Sequence, residues 1–290
     1  MRIEFERLGN GGTLDWDARG ERRERGVRVV LGGGRGCVLR GERVAGAILV
    51  PLRGRLQVSD GDGSRTLLPG QLLVVEAGSA LQAAGRGTAL WMAVFAPTPA
   101  WQALVGRADA LAGAHMLLPA LHAADLALRR SALRLAREAA RGSTRAHTAA
   151  VALALRVDEL QSAFEPLIAR CPGRSDAQRR NVFLRLQRVR NAMAAHCQQD
   201  IGIAGFARMA SYSPCHFIRA FSLVYGETPH AVLMEHRLGR AHQLVHESGM
   251  AITEVARASG FENRCAFARS FKRRYGVSAS DLRQGSRAAA

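Results

Sequence analysis

One stretch of this chain is written twice. The segment IAGFARMASYSPCHFIRAFSLVYGETP, from Ile203 to Pro229, returns as ITEVARASGFENRCAFARSFKRRYGVSA, from Ile252 to Ala279. Ile203, Ala207 and Arg208 pair with Ile252, Ala256 and Arg257 at one offset. Phe217, Arg219, Phe221, Tyr225 and Gly226 pair with Phe267, Arg269, Phe271, Tyr275 and Gly276 at an offset one larger. The second copy therefore holds one extra residue in its middle. Self-similarity of this kind implies one supersecondary unit used twice.

Each copy opens with a short apolar-periodic helix (Ile203, Phe206, Ala207; then Ile252, Val255, Ala256). A turn of small residues follows, and then a second helix start. Ser213 is a good N-cap, and Pro214 sits at the first helical position, where its missing N–H costs nothing. Glu262-Asn263 offers an acidic residue and a capping amide at the matching place. The second helices bury the i, i+4 pairs Phe217/Phe221 and Phe267/Phe271, and Gly226 and Gly276 end them. Helix, tight turn, helix is the pattern whose second helix can enter a major groove. At about 100° per residue, Cys215, Arg219 and Ser222 lie opposite one phenylalanine pair, and Cys265, Arg269 and Lys272 opposite the other. Ile218 and Ala268 flank those faces; His216 and Arg264 stand near the helix N-termini. An arginine repeated on both outward faces suits bidentate contact to guanine or a clamp on phosphate.

On these residues Ile203–Arg283 resembles the DNA-binding domain of the AraC/XylS family of bacterial transcription regulators. The likeness rests on Ser213, Pro214, His216, Phe217, Arg219 and Phe221 in the first unit and on Arg237, Leu238 and Ala241 after it. In the second unit it rests on Ile252, Val255, Ala256, Gly260, Phe261, Phe267, Arg269, Phe271, Lys272, Gly276, Ser278 and Arg283. The resemblance implies two helix-turn-helix units joined by one long helix, expected over Pro229–Glu247. That helix would hold the recognition helices in successive major grooves about 34 Å apart. The chain departs from the family pattern at Cys265, Ala279 and Leu282. The DNA-contacting set expected from wheel and resemblance together is Ser213, Cys215, His216, Ile218, Arg219, Ser222, Arg264, Cys265, Ala268, Arg269, Lys272 and Arg273. Cys215 and Ile218 stand where polar base-readers are common, so readout by the first recognition helix is expected to be apolar, for example to thymine methyls.

Residues 1 to about 98 read as β, within a first domain expected over 1–105: short apolar runs such as Val27–Leu31, Ala47–Leu52, Leu56–Ser59, Leu72–Glu76 and Leu90–Phe95, separated by Gly-rich turns. The stretch from Leu49 to Gln82, with its Leu68-Pro69-Gly70-Gln71 turn, is similar to the small β-barrel of the cupin superfamily. AraC-type regulators often carry such a barrel as a sensor. The fold expected is therefore α+β: a cupin-like barrel, then an all-α domain with two helix-turn-helix motifs. An effector pocket in the barrel would be lined by Leu49, Leu56, Val74, Trp91, Met92 and Phe95, residue types that equally serve as plain core. Residues 1–114 contain no histidine, so the metal chemistry of cupin enzymes is excluded, and no cofactor or metal is expected. Gly32-Gly33-Gly34-Arg35-Gly36 lacks the Lys-Ser/Thr of a phosphate loop and reads as a flexible turn.

From Ala108 the period turns helical. Leu117, Leu121, Leu128, Leu135 and Ala139 mark one helix, broken near Ala123; Val151, Leu155, Leu160 and Phe164 mark a second. Residues 106–170 are thus a helical linker, which either mediates dimerisation or packs back on the barrel. Residues 171–180 have linker composition, and 181–290 form the DNA-binding domain.

The net charge of +17 points to a polyanionic partner. Lys272 is the only lysine; the other cations are arginines. Five cysteines without C-x-x-C spacing suit a reduced compartment. The N-terminus lacks the apolar core of a signal peptide, and no run of eighteen apolar residues occurs, so a soluble, cytoplasmic chain with no membrane partner is expected. His242 and His246 have metal-compatible i, i+4 spacing, but no third ligand completes a site, and no triad or carboxylate pair stands out. The expected function is sequence-specific transcription regulation, as an activator, without enzymatic activity. The expected partners are promoter DNA, RNA polymerase, a small-molecule effector and a second copy of the chain. The alternatives are a cupin-type enzyme, metal-dependent or not, tethered to DNA, and a non-specific architectural DNA binder.

Overall fold

The computed structural model describes residues 1–16, 26–61, 63–106 and 117–288, with side chains to residue 284. The turn Asp60-Gly61-Asp62-Gly63 reads from the sequence as a hairpin tip, and Asp60 pairs with Gly63 across it; Asp62 itself and the helical onset expected at Ala108 lie outside the described residues. The chain divides into two compact units, Met1–Gln187 and Arg188–Ala290.

The first unit holds strands β1 (Ile3–Leu8), β2 (Thr13–Trp16), β3 (Val27–Gly34), β4 (Val38–Gly41), β5 (Ala47–Asp60), β6 (Gly63–Leu67), β7 (Gln71–Val75), β8 (Leu81–Phe95) and β9 (Ala120–Ala123). They form one sheet whose main path is β1-β3-β8-β5-β7-β9; β4 joins β8 and carries β2, and β6 joins β5. The long strands β5 and β8 are its spine. Their ladder slips in register between Pro51 and Arg55, where a proline offers no N–H to the ladder.

The sheet is open, which corrects the expected cupin-like barrel. β1 and β9 end the path and do not pair with each other. Turn spacing reports how many strands there are and which neighbours make hairpins. Closure depends on pairings between strands distant in sequence, and here those include two parallel ones, β1 with β3 and β2 with β4. The enzyme alternative that needed a closed barrel loses its scaffold.

Both faces of the sheet are covered. Along β8, Met92 and Val94 turn to one side and Trp91, Ala93 and Phe95 to the other, as the strand period of two requires. The Met92 side packs on helices α1 (Thr98–Leu104), α2 (Leu126–Ala140) and α3 (Arg145–Ser162), through Trp101, Leu128, Leu135, Leu153 and Val157. Each such buried side chain contributes roughly 1.5–3 kcal/mol. The Trp91 side packs on Leu39, Leu49, Leu56 and Val58. The six expected pocket residues are all buried but do not line one cavity: Leu49, Leu56, Trp91 and Phe95 lie on one face, Val74 and Met92 on the other.

The glycine run is no loose turn. Gly32–Gly34 continue β3. A Cβ on Gly32 would stand 2.2 Å from Cε2 of Trp91, so glycine is required there to seat the indole. Leu117 and Leu121 do not start a helix either: residues 117–119 are irregular and Leu121 lies in β9. After α3 come α4 (Glu165–Arg170) and α5 (Asp176–Ala195), the helix in which the division between the units falls.

The second unit continues with α6 (Ile203–Met209), α7 (Pro214–Tyr225), α8 (Pro229–Glu247), α9 (Ile252–Ala258), α10 (Arg264–Tyr275) and α11 (Ala279–Ala288). The α6–α7 pair buries Phe206, Ala207, Phe217, Phe221 and Val224. The α9–α10 pair buries Val255, Ala256, Phe261, Phe267 and Phe271 against Leu238, Ala241 and Val245 of α8. The extra residue of the second copy falls in its turn, since Ala210–Ser213 link the first pair and Ser259–Asn263 the second.

Candidate nucleic-acid interface

The same local chemistry holds each second helix in place. The Ser213 hydroxyl accepts from the His216 N–H at 3.4 Å, and Asn263 Oδ1 accepts from the Cys265 and Ala266 N–H groups at 2.8 and 3.1 Å. At the other end Gly226 and Gly276 take left-handed conformations, φ +75° and +77°, and their N–H groups close on Ser222 O and Lys272 O. The phenylalanine pairs sit with ring centroids 5.5 and 5.4 Å apart. That fixed inner face settles the outer one.

On α10 every expected contact residue is exposed: Arg264, Cys265, Ala268, Arg269, Lys272 and Arg273. Their neighbour Arg274 is engaged with Glu235 at 3.3 Å. On α7, Ser213, Cys215, His216, Ile218 and Arg219 are exposed. The His216 ring stacks on Tyr212 with centroids 4.6 Å apart. Ser222 differs from the expectation: it is half-buried, and its Oγ is buried with no hydrogen-bond partner. The wheel puts Ser222 opposite the phenylalanine pair but says nothing of how deep the helix sits. Leu223, outside the expected contact set, is exposed instead. The repeat itself could have found it, because Leu223 aligns with Arg273 at the larger offset.

Other arginines are structural. Arg237 donates from Nε to Cys197 O at 2.7 Å and from Nη2 to Gln199 O at 3.2 Å. Arg240 Nε donates to Ala258 O, the last carbonyl of α9, at 2.9 Å. Arg283 donates to Val245 O and Met250 O at the end of α8. Arg240 and Arg283 thereby satisfy carbonyls in the last turns of α9 and α8, while Arg237 ties down the turn that follows α5. Arg237 and Arg283 are thus accounted for by the fold, whereas Arg219 and Arg269 have exposed side chains on the outer faces.

The His242 and His246 rings lie 4.6 Å apart, and His242 also packs on Tyr275 at 4.6 Å. Burial, and then the neighbouring His246, lower the pKa of His242. Among the described residues no group of three or more His, Cys, Asp or Glu side chains gathers to hold a metal ion. Among them, too, no helix is long and apolar enough to cross a membrane.

Residues 206–285 match a family model described as "Helix-turn-helix domain". Over 100 residues the chain is 33% identical to the HTH-type transcriptional regulator ExsA of Pseudomonas aeruginosa, a match covering 34% of this chain and 36% of that protein. Over 97 residues it is 32% identical to the virulence regulon transcriptional activator VirF of Yersinia enterocolitica, covering 33% and 36%. The chain therefore spans 36% of the length of each of these relatives. The DNA-binding domain of AdpA, a global transcriptional factor solved with a target DNA, is 28% identical. That match covers 36% of this chain and 94% of the other, with a TM-score of 0.35. Residues 206–285 of the second unit are thus a helix-turn-helix domain similar to those of the transcription regulators named above. The resemblance holds for that domain and does not extend to a cupin barrel ahead of it.

Proposed function

We propose that this chain is a sequence-specific DNA-binding transcription regulator, an activator without enzymatic activity, whose α7 and α10 read adjacent major-groove segments. One observation carries the reading. Two helices, each with a side-chain N-cap, a left-handed glycine at its end and a buried phenylalanine pair, each present an exposed arginine, Arg219 and Arg269, on the face turned away from the core. A single exposed arginine is a common surface feature; a matched pair on duplicated helix-turn-helix scaffolds supports an interface. The relatives' names, regulator for ExsA and activator for VirF, support the assignment and its direction. RNA polymerase as a partner follows from activation. The first unit supplies control, by binding an effector or by pairing two copies through its helices.

Binding-site selection from random duplexes with the full-length protein tests this. The expected result is enrichment of two short elements centred about 10 bp apart, the repeat of one helical turn. Affinity for the selected site should fall steeply with salt, with a log–log slope of about −0.9 per phosphate neutralised. Equal affinity for selected and random duplexes would instead support an architectural, non-specific binder and overturn the proposal.

A further inference from the structure

The two recognition helices share a scaffold but not a surface. Aligned by their phenylalanines, their outer positions compare one by one: Pro214 with Arg264, Cys215 with Cys265, Ile218 with Ala268, Arg219 with Arg269, Ser222 with Lys272, and Leu223 with Arg273. Every difference in charge runs the same way. The α10 face is exposed at Arg264, Arg269, Lys272 and Arg273, whereas the α7 face has Arg219 as its cation. The hydroxyl that could have given α7 a second polar reader, Ser222 Oγ, is buried in the domain. Beside Arg219, α7 exposes Ser213, Cys215 and His216 around its N-terminal turn, the His216 ring stacked on Tyr212, and along its length two apolar side chains, Ile218, 40% exposed, and Leu223, 58% exposed. Neither apolar side chain belongs to the core, which Phe206, Phe217, Phe221 and Val224 fill.

Groove chemistry gives each face a counterpart. In the major groove thymine presents a C5-methyl to apolar side chains, and guanine presents O6 and N7 acceptors to arginine and lysine. Cations against phosphates generate the salt dependence of binding; apolar contacts to methyl groups do not. Resting on the DNA-reading function proposed above, we infer that the operator is chemically asymmetric. The element under α7 is thymine-rich and recognised through its methyl groups by Ile218. The element under α10 contains guanine and supplies most of the salt dependence.

The test uses the full-length protein and the duplex obtained by site selection. Arg219→Ala and Arg269→Ala first assign the elements, since each variant relaxes base preference in the element its helix reads. Deoxyuridine, which lacks only the methyl group, then replaces thymine in one element at a time. In the α7 element each contacted methyl should be worth about fourfold in affinity. In Ile218→Ala that loss should vanish, and Ile218→Val, which keeps branched methyl groups on the helix, should retain it. In the α10 element deoxyuridine should change affinity less than twofold, while 7-deazaguanine, lacking the N7 acceptor, should weaken binding about tenfold. Lys272→Ala should lower the salt slope by about 1. Ile218 is exposed, so its variants should melt as the parent does. A selected site in which deoxyuridine costs the same with and without Ile218, or whose two elements respond alike, overturns this inference and leaves sequence-specific regulation standing. Failure to select any site overturns the function itself.

Discussion

Gly260→Ala is expected to destabilise the second unit by about 2–5 kcal/mol and to remove specific binding of the α10 element. Gly260 lies in the turn between α9 and α10 at φ +87°. A Cβ there would stand 2.5 Å from Cys197 O and 2.8 Å from Arg237 Nε. Those two atoms are partners in a 2.7 Å hydrogen bond. The methyl group would therefore meet backbone as well as a side chain, and relief requires the turn to move away from the end of α5. Gly276→Ala is the internal control. Its φ of +77° is nearly the same, but a Cβ there meets nothing within 4 Å. It should cost only the backbone preference, about 1–2 kcal/mol. Urea unfolding of the two variants separates the effects; equal losses would mean that the close approach at Gly260 does not matter.

Arg269→Ala should weaken binding to the selected duplex by about 1–3 kcal/mol and change binding to random duplexes little. The side chain is exposed and the fold should not register its loss. Arg283→Ala makes the contrast. Its guanidinium bonds to the carbonyls of Val245 and Met250, so removing it should lower stability and weaken binding to all duplexes alike. Equal weakening on both duplex types by Arg269→Ala would remove Arg269 from the base-reading set.

The C-terminal unit was legible because its signals are local and doubled. Two phenylalanine pairs fix the phase of two helices, and Ser213, Asn263, Gly226 and Gly276 mark their ends within the same turns. The connecting helix runs over Pro229–Glu247, the range expected, because Thr228 and Pro229 start it just after Gly226 ends α7. What the wheel missed was depth, hence Ser222. The N-terminal unit was legible only in its strands' apolar runs. The alternation of Ile3–Leu8 was a usable signal for β1, but its parallel partner β3 begins at Val27, beyond any local pattern. Leucine spacing suggested a helix over Leu117–Leu121, yet Pro119 stands inside it and argued for the irregular start and short strand found there. The glycines of β3 read as a turn because the side chain that requires the first of them, the Trp91 indole over Gly32, is far off in sequence.

Two recognition helices that face the same DNA together would both be covered by it, and the cysteines provide a direct test. Cys215 and Cys265 are exposed at matching positions of the two helices, while Cys37, Cys171 and Cys197 are buried. N-Ethylmaleimide applied to the native full-length protein should label the first two and spare the other three. With the selected duplex at saturation, both Cys215 and Cys265 should be protected, and prior alkylation of either should weaken binding. Saturated binding with either thiol as reactive as in the free protein would contradict the claim that both helices lie in the groove.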